Sequence, residues 1–182
     1  MEKAYYYLIA SLPMLSFAVK APLSYKEFLE DCQRILPSED FDFIKVATLE
    51  SQLQTDKKNE TLILWKNFQN KFCNEKARFR AMQNKQDFFK YLRGDVSPEP
   101  RLAEAMGQAW RSPDPLSAEK SLDKLRWQYL DDLSFGHSFD LDFLIIYGLK
   151  LQILDRYRDI ESSKGEKSFE EFSQTALTVA QK

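Results

Sequence analysis

The sequence has few of the residues from which catalytic and metal sites are most often built. Its 182 residues include one histidine, two cysteines and five glycines. A single imidazole excludes any site that needs two, and the spacing of Cys32 and Cys73 fits neither a zinc knuckle nor a redox CxxC pair. The Walker phosphate loop, the GxGxxG motif and the GxSxG motif are also missing from the sequence. These absences argue against the common nucleotide-binding, hydrolase and zinc-dependent classes.

The amino-acid composition predicts an all-α fold. Leucine occurs 23 times and alanine 13 times, whereas there are only four valines and five threonines. Unbranched and γ-branched side chains lose little rotamer freedom in a helix, whereas β-branched ones fit strands better. We therefore predict one helical domain over residues 1–182, with eight to nine helices packed as antiparallel hairpins in a bundle. Any subdivision would fall near residues 94–116.

Capping residues and prolines predict where the helices begin. The predicted starts are Ser24, Ser38, Asn59 or Thr61, Asp87, Ser97, Asp114, Asp140 and Ser168. Residues 4–19 carry no charge, and these sixteen residues are fewer than the ~20 that a membrane span needs. They are interpreted as a buried first element, a helix or a strand, of which we favour the helix. The last long helix, from Asp140 to about Ile160, is apolar nearly all round, so we expect it at the centre of the fold or at an interface. Gly148 within it predicts a close approach of another helix.

Charge is distributed unevenly along the chain. Residues 66–93 carry eight basic and two acidic side chains, and residues 114–142 carry seven acidic and three basic ones. This pattern fits two faces that bind charged partners, and it equally fits complementary charges between packed helices. A nucleic-acid adaptor through residues 66–93 is a third hypothesis. The aromatic residues of that stretch recur at helical spacing, however, so they are predicted to be core and nucleic acid is not the expected partner: Trp65, Phe68, Phe72 and Phe79, followed by Met82.

The one histidine is close to two acids in the sequence. His137 precedes Asp140 and Asp142, and the acid pair is similar to the DxD triplet that holds a metal–nucleotide in some transferases. A small metal-dependent enzyme using these three side chains is therefore one hypothesis. The competing interpretation is a loop histidine followed by acids in the first turn of a helix, where the helix dipole stabilises them. The second interpretation needs no ligand, so we predict no catalytic residue, no metal and no cofactor.

Two stretches of the chain resemble an uncharacterised group of bacterial proteins encoded beside V-type ATPase subunits. They are residues 5–13 (YYYLIASLP) and residues 125–140 (LRWQYLDDLSFGHSFD). A more distant resemblance, through residues 147–158 (YGLKLQILDRYR), is to the coupling subunit of V-type ATPases. That coupling subunit is all-helical, joins the rotating central stalk to the membrane rotor ring and has no active site.

The resemblance implies a non-enzymatic subunit, accessory protein or assembly protein of a bacterial V-type ATPase. Its expected partners are subunits of the central stalk or the membrane ring. We expect it in the cytoplasm or at the inner face of the cell membrane, which it would reach through its partners only. The residues predicted to contact a partner are charged or lie beside charged positions: Lys76, Arg78, Arg80, Asp131, Asp132 and His137.

Overall fold

The computed structural model describes residues 2–17, 19–49 and 59–160. Over these residues the chain forms seven α-helices and no strand, which confirms the all-α prediction. The helices are α1 (Glu2–Ser11), α2 (Tyr25–Ile35), α3 (Ser38–Val46), α4 (Glu60–Gln83), α5 (Pro100–Trp110), α6 (Pro115–Leu133) and α7 (Leu141–Ile160). The predicted helix at Asp87 is a short 3-10 helix, Phe88–Tyr91, and the one predicted at Ser168 lies outside the described residues. The count of eight to nine helices and their antiparallel hairpin order stay predictions.

Local capping explains why several helices begin where the sequence predicts. The Ser24 hydroxyl accepts a hydrogen bond from the Glu27 amide at 3.2 Å, and the Glu27 carboxylate accepts one from the Ser24 amide at 2.7 Å. The Asn59 side chain caps α4 and the Asp114 carboxylate caps α6, each by accepting from first-turn amides. These bonds satisfy donors that the helix itself leaves without a partner. The starts of α2, α4 and α6 are therefore confirmed.

Two predicted caps are wrong. Ser38 is the first residue of α3, and the residue at the cap position is Pro37, which makes no side-chain cap hydrogen bond. The next helix begins at Pro100 and not after Ser97. The Ser97 amide donates to the Asp95 carboxylate at 2.9 Å, so this stretch forms a local turn of the kind that competes with helix capping.

Helix α7 lies at the centre of the fold, as its apolar sequence predicts. It packs against α2, α3, α4 and α6. Its buried side chains are Leu144, Ile145, Ile146, Tyr147, Leu149, Leu151, Ile153 and Leu154. A Cβ atom at Gly148 would lie 3.0 Å from the Phe28 ring of α2, which confirms the predicted close approach. Within the described residues, none of the helices is long and apolar enough to span a bilayer.

The predicted aromatic face of α4 is correct for most of its length. Trp65, Phe68 and Phe72 are buried, and the half-buried Phe79 stacks on Trp110 with ring centroids 4.4 Å apart. Met82 is predicted on the same face, but it is exposed. Phe79 already contacts the last residue of α5, so α5 ends before it could cover the following turn of α4. The buried rings are not available as stacking platforms for a nucleic acid.

Candidate functional site

The two stretches that carry the family resemblance meet in space. Helix α1 supplies Tyr6, whose ring lies 5.0 Å from the ring of Phe139 in the α6–α7 loop. The segment after α1 is fixed to α7, because the Tyr147 hydroxyl donates to the Pro13 carbonyl at 2.8 Å. Gly136, with φ +89°, allows the chain to reverse after α6 in a backbone conformation that other residues rarely adopt. Segments far apart in sequence therefore come together at the α6–α7 loop.

This site exposes large apolar side chains, and we call it the loop surface. Its members come from α1, the segment after α1 and the α6–α7 loop: Tyr6, Tyr7, Met14, Phe135 and Phe139. Met14 is 95% exposed and Phe135 is 92% exposed. A groove of about 350 Å³ lies beside them, with walls formed by residues 12–15, Ser134, Phe143, Ile146, Tyr147 and Lys150. Clustered apolar side chains of this size in water are typical of a surface that another molecule covers.

His137 forms a close pair with Asp140 at the same loop. The imidazole Nδ1 lies 2.7 Å from one Asp140 oxygen, and the other Asp140 oxygen accepts from the Phe143 amide at 2.9 Å. The hydrogen bond to Asp140 raises the pKa of His137, helped by the negative charges of Asp140, Asp142 and Glu60 and opposed by burial. Asp140 therefore orients the imidazole and caps the first turn of α7 at the same time.

The three residues of the metal hypothesis converge. One ligand atom from each of His137, Asp140 and Asp142 lies within 4.8 Å of the other two, and all three side chains are half-buried. Imidazole and carboxylate are ligands that several divalent cations accept. These atoms also have partners within the fold, because Asp142 accepts from the Asn59 side-chain amide at 2.9 Å and Asp140 holds His137. A cation bound through the imidazole Nδ1 would have to replace the hydrogen bond between His137 and Asp140.

The two aspartates predicted to contact a partner lie at the end of α6, directly before this loop. Asp131 makes an ion pair with Lys150 of α7 at 2.6 Å, which ties the end of α6 to the central helix. Asp132 is exposed. His137 follows in the α6–α7 loop. The three predicted residues of this region thus lie in one short segment, from the end of α6 into the loop, and their contact with a partner stays a prediction.

Two of the basic residues predicted to contact a partner are engaged inside the fold. Lys76 of α4 lies 3.7 Å from Glu119 of α6, and burial lowers its pKa. Arg78 lies 2.6 Å from Glu75 and also donates to the Val96 carbonyl. Both side chains are mostly buried. The sequence leaves two alternatives open for these charges. Lys76 and Arg78 fit the second one, in which complementary charges pair within the fold.

Arg80 differs from its two neighbours in the predicted set. It is exposed, and its guanidinium lies 6.0 Å from the centre of the Trp110 ring. It remains accessible from solvent near the end of α4. A partner role for Lys76, Arg78 and Arg80 stays a prediction, and Arg80 is the member of the set at which a surface variant would disturb the fold least.

Sequence reasoning missed the apolar members of the loop surface. Phe135 and Phe139 flank a glycine break, and large apolar residues at such a break are a signal that could have indicated exposure. Tyr6 and Met14 carry no such signal. Both lie in the uncharged stretch of residues 4–19, whose composition predicts burial. Tyr5 and Leu8 of that helix do pack inward, which leaves Tyr6 and Tyr7 facing solvent.

Fold and site together define an all-helical domain with an exposed apolar surface and an imidazole–carboxylate pair at its edge. Residues 104–176 match the family described as "Protein of unknown function (DUF2764)". The match includes all of α6, the loop and α7, and it is consistent with the resemblance to an uncharacterised family. The family description gives no activity and no partner. No curated protein and no solved structure matches the chain.

Proposed function

We propose that this chain is a non-enzymatic helical protein that binds another protein through the loop surface. The observation that carries the proposal is the group of exposed apolar side chains around Phe135 and Met14, beside an apolar groove. Burying such side chains at an interface is favourable by about 25 cal/mol per Å² of apolar area. The exposed Asp132, three residues before Phe135, favours a partner that presents a basic residue beside its apolar ones.

The partner that we propose is a subunit of a bacterial V-type ATPase, in the central stalk or the membrane ring. Its support is the resemblance of residues 5–13 and 125–140 to proteins encoded beside that enzyme. Both stretches contribute to the loop surface, through Tyr6 in one and through Phe135 and Phe139 in the other. A role like that of the coupling subunit, between stalk and ring, is the finer proposal, and residues 147–158 are its support. The protein would act in the cytoplasm as a subunit, an accessory protein or an assembly protein.

A pull-down with matched variants tests this proposal. Tagged chain is recovered from gently solubilised native cells, and the proteins that come with it are identified by mass spectrometry. Wild-type chain should recover V-type ATPase subunits, and the variant Phe135→Ser with Met14→Ser should recover several-fold less. Phe89→Ser is the control, because Phe89 is an exposed phenylalanine outside the loop surface. Equal recovery by all three chains would refute a role for the loop surface, and recovery of no ATPase subunit from an extract with intact ATPase would refute the partner.

A small metal-dependent enzyme is the second candidate, favoured by the convergence of His137, Asp140 and Asp142. It predicts that Mn²⁺ or Zn²⁺ raises the melting temperature, since a ligand that binds only the folded chain stabilises it. The increase should disappear in Asp142→Asn and persist in Asp132→Asn. An unchanged melting temperature at millimolar metal would remove this candidate.

A further inference from the structure

We propose that residues 80–96 form a second surface, which binds an anionic lipid bilayer directly. We call it the basic apolar surface, and its members are the exposed apolar residues Met82, Phe89, Tyr91 and Val96 together with the basic residues Arg80, Lys85, Lys90 and Arg93. The proposal does not depend on the loop surface or on a V-type ATPase partner. It also differs from the expectation that the chain reaches a membrane through its partners only.

The apolar members of this surface are strongly exposed. Met82 is 72% exposed and Phe89 is 69% exposed, and about half of the surface of Tyr91 and of Val96 is open to solvent. Phe89 lies in the 3-10 helix that follows the turn after α4. Large exposed apolar side chains with basic residues between them along the chain are typical of an interface with membrane headgroups.

The charge of this surface complements an anionic membrane. Four basic residues accompany two acids in the stretch from Arg80 to Asp95. Of the two acids, Asp95 lies 3.5 Å from Lys71 of α4, and Asp87 accepts a hydrogen bond from the Phe89 amide at 3.1 Å. With four basic and two acidic side chains, this stretch carries a net formal charge of +2. Each lysine or arginine close to an anionic bilayer strengthens binding by about fivefold.

Buried polar groups of α4 hold this exposed stretch in place. The Asn74 amide nitrogen donates to the carbonyls of Arg93 and Asp95 at 2.8 and 3.0 Å, and its oxygen accepts from the Arg93 amide at 2.8 Å. Asn74 is buried, so these three bonds use both polar atoms of its side chain on this one stretch. Arg78 adds a hydrogen bond to the Val96 carbonyl. The fold thus fixes the backbone of residues 93–96, at one end of the basic apolar surface, while the Val96 side chain stays half-exposed.

The composition of the surface favours a bilayer over a nucleic acid. Single-stranded nucleic acids bind through bases stacked on aromatic rings. Met82 and Val96 have no ring, so stacking cannot use them, whereas both gain from transfer into the boundary between headgroups and acyl chains. The rings that alternate with the basic residues earlier in α4, such as Trp65 and Phe72, are buried in the core. A bilayer uses all four exposed apolar side chains.

Vesicle flotation of the full-length chain tests the proposal. We expect binding to vesicles of equimolar phosphatidylcholine and phosphatidylglycerol at low salt, and little binding to phosphatidylcholine alone. Phe89→Ser should weaken the partition by about tenfold, because it removes one inserted ring. Lys90→Glu should weaken it at least about fivefold, since it replaces an attractive charge by a repulsive one.

Matched controls separate the surface from general effects of substitution. Phe135→Ser alters an exposed phenylalanine of the loop surface, and Lys26→Glu alters an exposed lysine of α2, so both should bind vesicles like wild-type chain. Absence of binding to the anionic vesicles at low salt would overturn the proposal, as would equal losses in Phe89→Ser and Phe135→Ser. Binding of single-stranded RNA that Phe89→Ser abolishes, without vesicle binding, would overturn it in favour of nucleic acid. A negative result here leaves the pull-down of the loop surface unaffected, so the two proposals fail separately.

Discussion

His137 is the one residue of the chain whose charge changes near neutral pH in the absence of a large pKa shift. Its environment is built from acids: Asp140 at hydrogen-bond distance, and Asp142 and Glu60 farther away. All three favour the protonated imidazole. The loop surface therefore carries a titratable group at its rim, and the loop holds it in a fixed orientation.

We predict that the pKa of His137 lies above its ordinary value of 6.5 and that Asp140→Asn lowers it. Because the folded-state pKa is raised, the stabilisation by this pair is fully present below pH 6.5 and is lost as the pH rises through the raised pKa. The difference in unfolding free energy between wild-type chain and Asp140→Asn should shrink over that interval. Asparagine keeps the acceptor for the Phe143 amide, so the cap of α7 is retained.

NMR titration of the single imidazole measures this pKa without assignment of the rest of the chain. Asp132→Asn serves as the control, since Asp132 is not among the groups that raise the pKa of His137. A wild-type pKa at or below 6.5, or equal values in wild-type chain and Asp140→Asn, would contradict the described pair.

Two glycines on different helices show how packing decides the effect of the same substitution. Gly148 of α7 lies against the buried ring of Phe28, where an added Cβ would be 3.0 Å away. At Gly107 of α5 the nearest atom to such a Cβ is 3.8 Å away, at the end of the Arg111 side chain. Alanine is the better helix former at both positions, by up to about 1 kcal/mol.

We expect Gly107→Ala to raise the unfolding free energy by about 0.5 kcal/mol, because it restricts the unfolded chain and meets no close neighbour. Gly148→Ala should lower the unfolding free energy by about 1 kcal/mol, because overpacking at Phe28 outweighs the gain in helix propensity. Urea denaturation of the two variants measures both effects. Stabilisation of similar size in both would show that α2 and α7 are not packed this closely.

A buried carboxylate joins α6 to the C-terminal half of α7. Asp123 accepts from Arg126 at 2.6 Å, from Arg156 at 2.9 Å and from the Tyr157 hydroxyl at 2.6 Å. We expect Asp123→Asn to cost about 3 kcal/mol, because it leaves the buried Arg126 without its counter-charge. Asp132→Asn on the exposed side of the same helix should change stability by less than about 0.5 kcal/mol. Equal, small effects in urea denaturation would contradict the network.

The helices that the sequence predicts well are those whose starts depend on local hydrogen bonds. The caps at Ser24, Asn59 and Asp114 involve partners within three residues. The local sequence is therefore enough to predict where these helices begin. The predicted start of α5 is misplaced because Asp95 binds the Ser97 amide and uses that segment as a turn. The convergence of Tyr6 with the α6–α7 loop depends on tertiary packing, for which no local pattern gives a signal.

At the scale of the whole molecule, the described fold presents two exposed apolar regions with different charged neighbours. The exposed Asp132 precedes the α6–α7 loop of the loop surface, and the basic apolar surface includes Lys85 and Lys90. Lys76 of α4 and Glu119 of α6 instead form an ion pair within the fold. A protein arranged in this way can contact a protein partner with one region and an anionic surface with the other.

The most direct test of the central proposal is photo-crosslinking in living cells from the loop surface. Benzoylphenylalanine in place of Phe135 puts a reactive group at a side chain that is almost fully exposed, and the same replacement at Phe89 is the control. We predict a light-dependent product from Phe135 that contains a V-type ATPase subunit, and no such product from Phe89. A product with the ATPase from Phe89 alone, or from neither position while the ATPase is intact, would contradict the proposal.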